Sequence, residues 1–446
     1  MSAIGRASIL LVAACLTGCG PEARAARDGR AWHVDVSAST AGTGDPTHPF
    51  GTIAQALDAA GPGDTVVIAT GTYHETLRPR RGGEPTRPLV IRGADPAHRP
   101  IVTAPGRVAT LEHPYLVLDN LVLDGEYGPD DAVRVADPAA HLVMRRVEVR
   151  RAGRDCVDMA APSDVQLDEV LIHHCLDARH GRTDAHGLVA GAVERLTVRR
   201  SEIHTFSGDG IQLDPGRTAP GWTEVTIESS RIWLAPLDAP ANGFAAGVVP
   251  GENAIDTKTI RHGRRAKLDV RDVEAWGFEG GLIPNMAAFN IKERVDATFD
   301  GVTVHHSTIG FRLRGPGDRG ARVTVRNAVL HHLRTGIRHE DDIALLRVEH
   351  ATFGRAVEVP VAAVQAPNAE VQLANLLQLR SSASSGLGDE MIAVDATAFI
   401  DASRDDYRLV PTRPALRAPA REAVTVDRSG RARPSGGPHA VGAYEP

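Results

Sequence analysis

A six-residue pattern, apolar-polar-polar-apolar-polar-apolar, recurs along this chain in one register. Clear copies begin at Leu118 (LDNLVL), Met144 (MRRVEV), Leu167 (LDEVLI), Phe299 (FDGVTV), Val325 (VRNAVL) and Val348 (VEHATF), with looser ones at Val198, Ile227, Val270 and Leu373. Successive starts lie 23 to 31 residues apart, except for a gap of 43 between Ile227 and Val270. A spacing in the twenties marks one supersecondary unit stacked on copies of itself. Val, Ile or Leu at alternate places makes each unit a pair of short strands, because strand side chains switch faces at every residue. No unit offers the run of about ten helical positions that a leucine-rich or helical solenoid needs. The pattern therefore predicts an all-β chain wound as a right-handed parallel β-helix over residues 32–398.

A second short strand, small-apolar-polar-apolar, follows the repeats. It is read at 156–159 (CVDM), 187–190 (GLVA), 210–213 (GIQL), 254–257 (AIDT), 288–291 (AFNI), 310–313 (GFRL) and 336–339 (GIRH). Its second residue faces the interior and its third faces solvent. Read from coil to coil, about 4.8 Å apart, the outward column is Asp158, Val189, Gln212, Asp256, Asn290, Arg312 and Arg338. Two residues further on stand Asp214, Lys258, Lys292, Arg314 and Glu340. Solvated strands carry outward charge in any protein, but three features set this flank apart. Carboxylates and amides fill its first half and cations its second. The one long gap contains Gly251 to Lys258 (GENAIDTK). The same side gathers Asp184-Ala185-His186-Gly187 and Ser207-Gly208-Asp209-Gly210. Long loops that interrupt a regular scaffold are usual places for binding and catalysis.

Length and charge narrow the classes. At 446 residues the chain exceeds a single compact core, yet a solenoid escapes that limit because each coil touches only its neighbours. A net charge of -6 argues against a nucleic-acid partner. Arg6, the apolar run Ile9 to Leu16 and the small residues after it predict an export signal over residues 1–18. Residues 19–31 read as a polar tether. Cys15 leaves with the signal, so Cys156 and Cys175 remain in an oxidising compartment. There they form either a disulfide or two buried thiols.

Leu16-Thr17-Gly18-Cys19 resembles the lipobox of bacterial lipoproteins, which implies acylation of Cys19, a membrane anchor, and an outer-membrane or cell-surface address. Residues 33–77 (HVDVSASTAGTGDPTHPFGTIAQALDAAGPGDTVVIATGTYHETL) resemble the start of many exported parallel β-helix proteins, a pectate lyase-like superfamily. In that stretch Thr52 is placed to cap a short helix with Ile53, Ala56, Leu57 and Ala60 inward, a plug for the open end of the first coil. Asp64 and Tyr73 read as turn and packing residues. The tail, residues 399–446, is similar to those that close such proteins.

The GENAIDTK stretch resembles the acidic-plus-lysine segments of β-helix polysaccharide lyases. The resemblance implies Ca²⁺ held by Asp209, Asp214, Glu252 and Asp256, with Lys258 as the base that removes the C5 proton of a uronic acid. Lys258 is expected to have a lowered pKa from partial desolvation and neighbouring cations. Arg312 takes part in the reaction and, with Arg314, holds substrate carboxylates; Lys292, Asn290, Arg338 and Gln212 complete the substrate-binding set. His186 is the rival base or a proton donor. Asn253 and Asn290 are alternatively members of a stacked asparagine ladder. The pairs His173-His174, His305-His306 and His331-His332 read as turn or packing residues, since they do not fall in consecutive coils. The leading expectation is a monomeric, surface-anchored, calcium-assisted lyase acting on an acidic polysaccharide. The alternatives are a hydrolase using paired carboxylates (Asp209 with Asp256 or Asp214) and a non-catalytic glycan-binding or envelope lipoprotein.

Overall fold

The structure is a computed structural model that describes residues 29–446 except 40, 180–183, 215–220, 259–263, 316–319, 381–389, 412–415 and 422–423. The export signal, Cys19 and most of the tether lie outside the described residues. Up to Val394 the chain winds as a right-handed parallel β-helix whose central coils each contribute a strand to each of three faces. The first sheet has 13 parallel strands, from Ala31–Val34 to Val371–Ala374. The second includes Glu148–Ala152, Leu171–Cys175, Glu202–Phe206, Arg231–Trp233 and Glu274–Trp276. The third includes Val157–Met159, Leu188–Ala190, Ile211–Leu213, Ile255–Thr257 and Ala287–Ile291. The second and third fuse where Thr303–Leu313 and Val329–Glu340 run through both.

The first apolar residue of each hexad stacks directly on its counterpart, from Leu118 on Met144 to Val325 on Val348. That column is at most 1% exposed throughout. A second interior column, Val157, Leu188, Ile211, Ile255, Phe289, Phe311 and Ile337, is wholly buried behind the third sheet. Each such side chain contributes about 1.5–3 kcal/mol when fully buried, and only because a coil lies above and below it.

The hexad is less straight than alternation suggests. Its third, polar residue turns the corner between the first and second sheets in the left-handed region. Asn120, Arg146, Glu169, Arg200, Ser229, Asp272, Asn327 and His350 all have φ of 47–59°. A second left-handed corner, between the second and third sheets, holds Arg151, His174, Thr205, His306 and His332 at 47–57°. Asn and Asp tolerate this conformation; for other side chains it costs on the order of 1–2 kcal/mol, offset by the burial it permits. The sulfurs of Cys156 and Cys175 are bonded, joining the end of a second-sheet strand to the corner of the preceding coil with Cα atoms 5.4 Å apart.

Both ends are closed. The helix Ile53–Ala59 is capped by Thr52 Oγ1, which accepts from the Gln55 amide at 3.2 Å, and it buries Ile53, Ala56 and Leu57. Asp64 accepts from Trp32 Nε1 and the Gly61 amide, and the Tyr73 hydroxyl donates to Ala69 O, so both are structural. At the far end Phe399, Tyr407 and Leu409 pack on Val329 and Leu377. Arg433, buried in the tail, donates to Glu445 at 2.9 Å and to Asn327 at 2.8 Å.

Glu169 tests the corner directly. Glu169→Ile, a β-branched residue at φ 54°, is expected to destabilise by about 1–2 kcal/mol, whereas Glu169→Gly is neutral or stabilising. Equal melting temperatures for the two variants contradict the left-handed assignment.

Candidate active site

The strand register aligns the outward residues of the third sheet as Arg134, Asp158, Val189, Gln212, Asp256, Asn290, Arg312 and Arg338. It also stacks Asp214, Lys258, Lys292, Arg314 and Glu340 two residues further on. Their pairing is tighter than sorting by sign implies. Asp158 is bonded to Arg134. Lys258 Nζ lies 2.9 Å from Asp214, and Lys292 Nζ lies 2.8 Å from Asp256, which also accepts from Asn290 Nδ2 at 2.7 Å. Glu340 gathers three guanidinium groups: Arg338 at 2.7 Å, Arg312 at 2.9 Å and Arg314 at 3.4 Å. Arg338 also donates to Asn285. Arg314 is also 3.8 Å from Asp341, so three guanidinium groups face two carboxylates and cationic charge is in excess by one at that end of the flank.

A further column, one step before the strands, was not read from the sequence as a column. The backbone register places Asp131, Asp155, His186, Asp209 and Asn253 one above another at the corner that leads into the third sheet, and all are buried. Asp155 Oδ1 accepts the His186 amide at 2.9 Å, His186 Nδ1 accepts the Asp209 amide at 2.7 Å, and Asn253 Oδ1 accepts the Ala287 amide at 3.1 Å. Each side chain so satisfies a backbone donor of the next coil. The signal available was the polar residue preceding the small one in CVDM, GLVA, GIQL and AIDT. This placement corrects the asparagine ladder. Asn253 stands over Asp209, to whose Oδ1 it donates at 2.8 Å, while Asn290 belongs to the Asp256 column. It also defines His186: an Nδ1 that accepts an amide proton leaves the ring proton on Nε2, 3.8 Å from Asp184. His186 is therefore a donor here, and its free lone pair is gone.

Asp209 comes from one coil and Glu252 and Asp256 from the next; Lys292, one coil further on, pairs with Asp256. Gln212 Nε2 donates to Asp209 at 3.1 Å. Burial and the Asp209 and Asp184 carboxylates push Glu252 up to about 7. Burial and Asp209 likewise raise Asp256, against the pull of Lys292. Negative charge here exceeds what the lysine neutralises, and the donors are all oxygen, as a hard cation requires. Asp209, Glu252 and Asp256 offer donors of the type Ca²⁺ takes, but their ligand atoms do not meet within 4.8 Å of one another. Asp214 does not join them, because it is held by Lys258 in the other column. The four carboxylates do not converge as one cage: among the described residues the His/Asp/Glu trio whose ligand atoms meet within 4.8 Å is His331, His332 and Asp405.

Lys258 also departs from expectation. Burial works to lower its pKa, but the hydrogen bond to Asp214 and the charges of Asp214, Asp256 and Asp209 outweigh burial and leave it raised. It is a firmly held ammonium. The part of the long gap from Ala235 to Val248, finally, does not lie over this flank. Leu237 and Phe244 pack with Leu176 against Tyr127, and Leu237 and Tyr127 wall a cavity of about 770 Å³ with Arg150, His173, His204 and Trp233 on the second-sheet side. The chain returns to the third sheet at Gly251.

No protein-family profile matches the chain. It is 32% identical over 192 residues to the uncharacterized protein YwoF of Bacillus subtilis (strain 168), a match spanning 40% of this chain and 38% of that one. Among solved structures, pectate lyase Pel9A superposes with a TM-score of 0.52 at 14% identity, over 94% of this chain and 97% of that one. An alginate lyase from Paenibacillus sp. str. FPU-7 superposes over 72% of this chain and 95% of its own length, with a TM-score of 0.44 at 15% identity. The chain is thus a right-handed parallel β-helix, and its fold is that of pectate lyase Pel9A.

Glu252 gives a pH test. Because its folded value is raised, its contribution to stability is complete below its ordinary value of 4.5 and is lost as pH rises through about 7. Glu252→Gln is expected to raise the melting temperature at pH 8 and to change it little at pH 4. An equal shift at both pH values contradicts the crowding of carboxylates.

Proposed function

We propose that this protein is a carbohydrate-active enzyme that binds an acidic polysaccharide along the third sheet and cleaves it by β-elimination. The observation that carries this reading is the buried Asp256–Lys292 pair beside Asp209 and Glu252, followed in the next coils by Arg312, Arg314 and Arg338. A uronate chain offers a carboxylate to hold and an adjacent C5 proton to remove, and this flank supplies cations for the first and an amine for the second.

Asp209, Glu252 and Asp256 are the residues that would hold Ca²⁺; when bound, the ion neutralises the uronate carboxylate and so acidifies C5–H. Lys258, kept charged by Asp214, is an electrostatic clamp, so the role of base passes to Lys292. In the reaction Lys292 Nζ takes the C5 proton, the C4–C5 double bond forms, the C4–O bond breaks, and the departing oxygen is protonated by solvent. Arg312, Arg314 and Arg338 bind neighbouring uronates in exchange for part of their hold on Glu340. Gln212 and Asn290 orient Asp209 and Asp256. His186, which fixes the Asp209 backbone, is a positioning residue.

An extracytoplasmic address fits this reading: the Cys156–Cys175 bridge suits an oxidising compartment, and acylation of Cys19 would anchor the enzyme at the outer membrane or cell surface.

The soluble form lacking residues 1–19, incubated with a panel of uronate polymers with and without Ca²⁺, is expected to release unsaturated, ultraviolet-absorbing products. Lys292→Ala lowers kcat by about 10²–10⁴-fold with binding retained. Arg312→Ala raises KM more than it lowers kcat. New reducing ends without absorbance point instead to hydrolysis by paired carboxylates, and binding without products to a glycan-binding role. Full activity of Lys292→Ala with loss in Lys258→Ala returns the base to Lys258.

A further inference from the structure

The three histidine pairs share one geometry but not one environment. The first member of each lies on the outer face of the second sheet, in a column of stacked rings: His173, His204, Trp233, Trp276, His305 and His331. Centroids in this column are 4.4–5.5 Å apart and planes lie within 20° of parallel. His305-His306 and His331-His332 stand in adjacent coils, contrary to the spacing read from the sequence. The second member of each pair sits in the left-handed corner, which turns its ring to the same side as the first. The two Nδ1 atoms are 2.6 Å apart in the first pair and 2.8 Å apart in the other two.

Carboxylates approach the pairs differently. Glu148 and Glu274 meet the Nε2 atoms of His173 and His305, away from the paired nitrogens. Asp405, delivered by the tail, comes to the Nδ1 side instead: its Oδ1 lies 3.5 Å from His331 Nδ1 and 3.9 Å from His332 Nδ1. These ligand atoms all lie within 4.8 Å of one another. The cluster is held from every side. His305 stacks on His331 and His306 on His332, and the Tyr407 ring lies 5.5 Å from His331. Asp405 is fixed by the Tyr407 hydroxyl, which donates to Oδ1 at 2.8 Å, and by Arg355, 3.4 Å from Oδ2.

We propose that His331, His332 and Asp405 form a binding site for a borderline divalent transition ion of the Zn²⁺ class, which clips the C-terminal tail to the solenoid. Two imidazole nitrogens and one carboxylate oxygen are the donor set such an ion selects, with water completing its shell. Between two Nδ1 atoms 2.8 Å apart there is room for one ring proton; on metal binding that proton moves to Nε2 of its own ring, and both Nδ1 lone pairs face the ion. Tyr407 and Arg355 orient the carboxylate ligand from the outer shell. Asp405 is 74 positions after His331, so binding to the folded state alone ties the tail down. The site shares no residue with the third-sheet flank and is independent of the reaction proposed there.

The test uses the tag-free chain from residue 20 onward, stripped with chelator and titrated with ZnCl2 by calorimetry, with bound metal counted by elemental analysis. One Zn²⁺ per chain and a rise in melting temperature are expected. His332→Ala and Asp405→Asn should each abolish stoichiometric binding, His174→Ala should leave it intact, and Tyr407→Phe should weaken it by about 10–100-fold. Folding of each variant is checked by circular dichroism, and His332, on the outer corner, serves if Asp405→Asn misfolds. Failure of the folded wild type to bind Zn²⁺, or stoichiometric binding retained by His332→Ala, overturns the proposal.

Discussion

A coil of this protein buries almost nothing by itself; its apolar side chains leave water only when the coils above and below close over them. The parallel backbone ladder is therefore the constraint on which the rest of the structure depends. It fixes Leu118 on Met144 and Met144 on Leu167 inside, and by the same register it fixes Gln212, Asp256 and Asn290 outside. A shift of one residue in any coil would exchange the two faces. The closed ends follow from the same need, since the first and last coils have no neighbour of their own.

Repetition at such close spacing has an electrostatic consequence. Outward side chains stand one strand spacing apart, so like charges in adjacent coils repel unless amides or opposite charges intervene. Most of the molecule alternates accordingly: Asp124 is shared by Arg150 and Arg151, and Asp168 by Arg199 and Arg200. The Asp209, Glu252 and Asp256 region breaks that habit, and the raised proton affinities of Glu252 and Asp256 are its cost. Glu340 with its three arginines is the reverse case. A departure from local charge balance on an otherwise balanced scaffold is the physical reason to look for chemistry on this flank.

The left-handed corners do a second job beyond bending the chain. By turning adjacent residues to one side they bring His331 and His332 together, as they do His173 with His174 and His305 with His306. What separates the pairs is what the rest of the chain brings to them: among the described residues, only the last receives a carboxylate from the tail at its Nδ1 atoms.

The chain's alternation and period determined, by themselves, the parallel β-helix, its capping helix and the two outward columns of the third sheet. Alternate burial leaves no freedom about which residues face in, and stacking leaves none about which coil follows which. The polar residue before each small one was equally legible, but the Asp155–His186–Asp209–Asn253 column lies at a corner ahead of the strands, where alternation does not set the direction of a side chain. Only the tertiary structure decided the partners. Lys258 could lie free or against Asp214, and the second arrangement turns a candidate base into a fixed cation, because lateral reach between side chains is not encoded in periodicity. The same holds for the part of the long gap from Ala235 to Val248, which folds over the second sheet, and for Asp405, whose meeting with His331 and His332 depends on how the tail wraps back. Local pattern sets register, but contacts between segments far apart in sequence are set by packing.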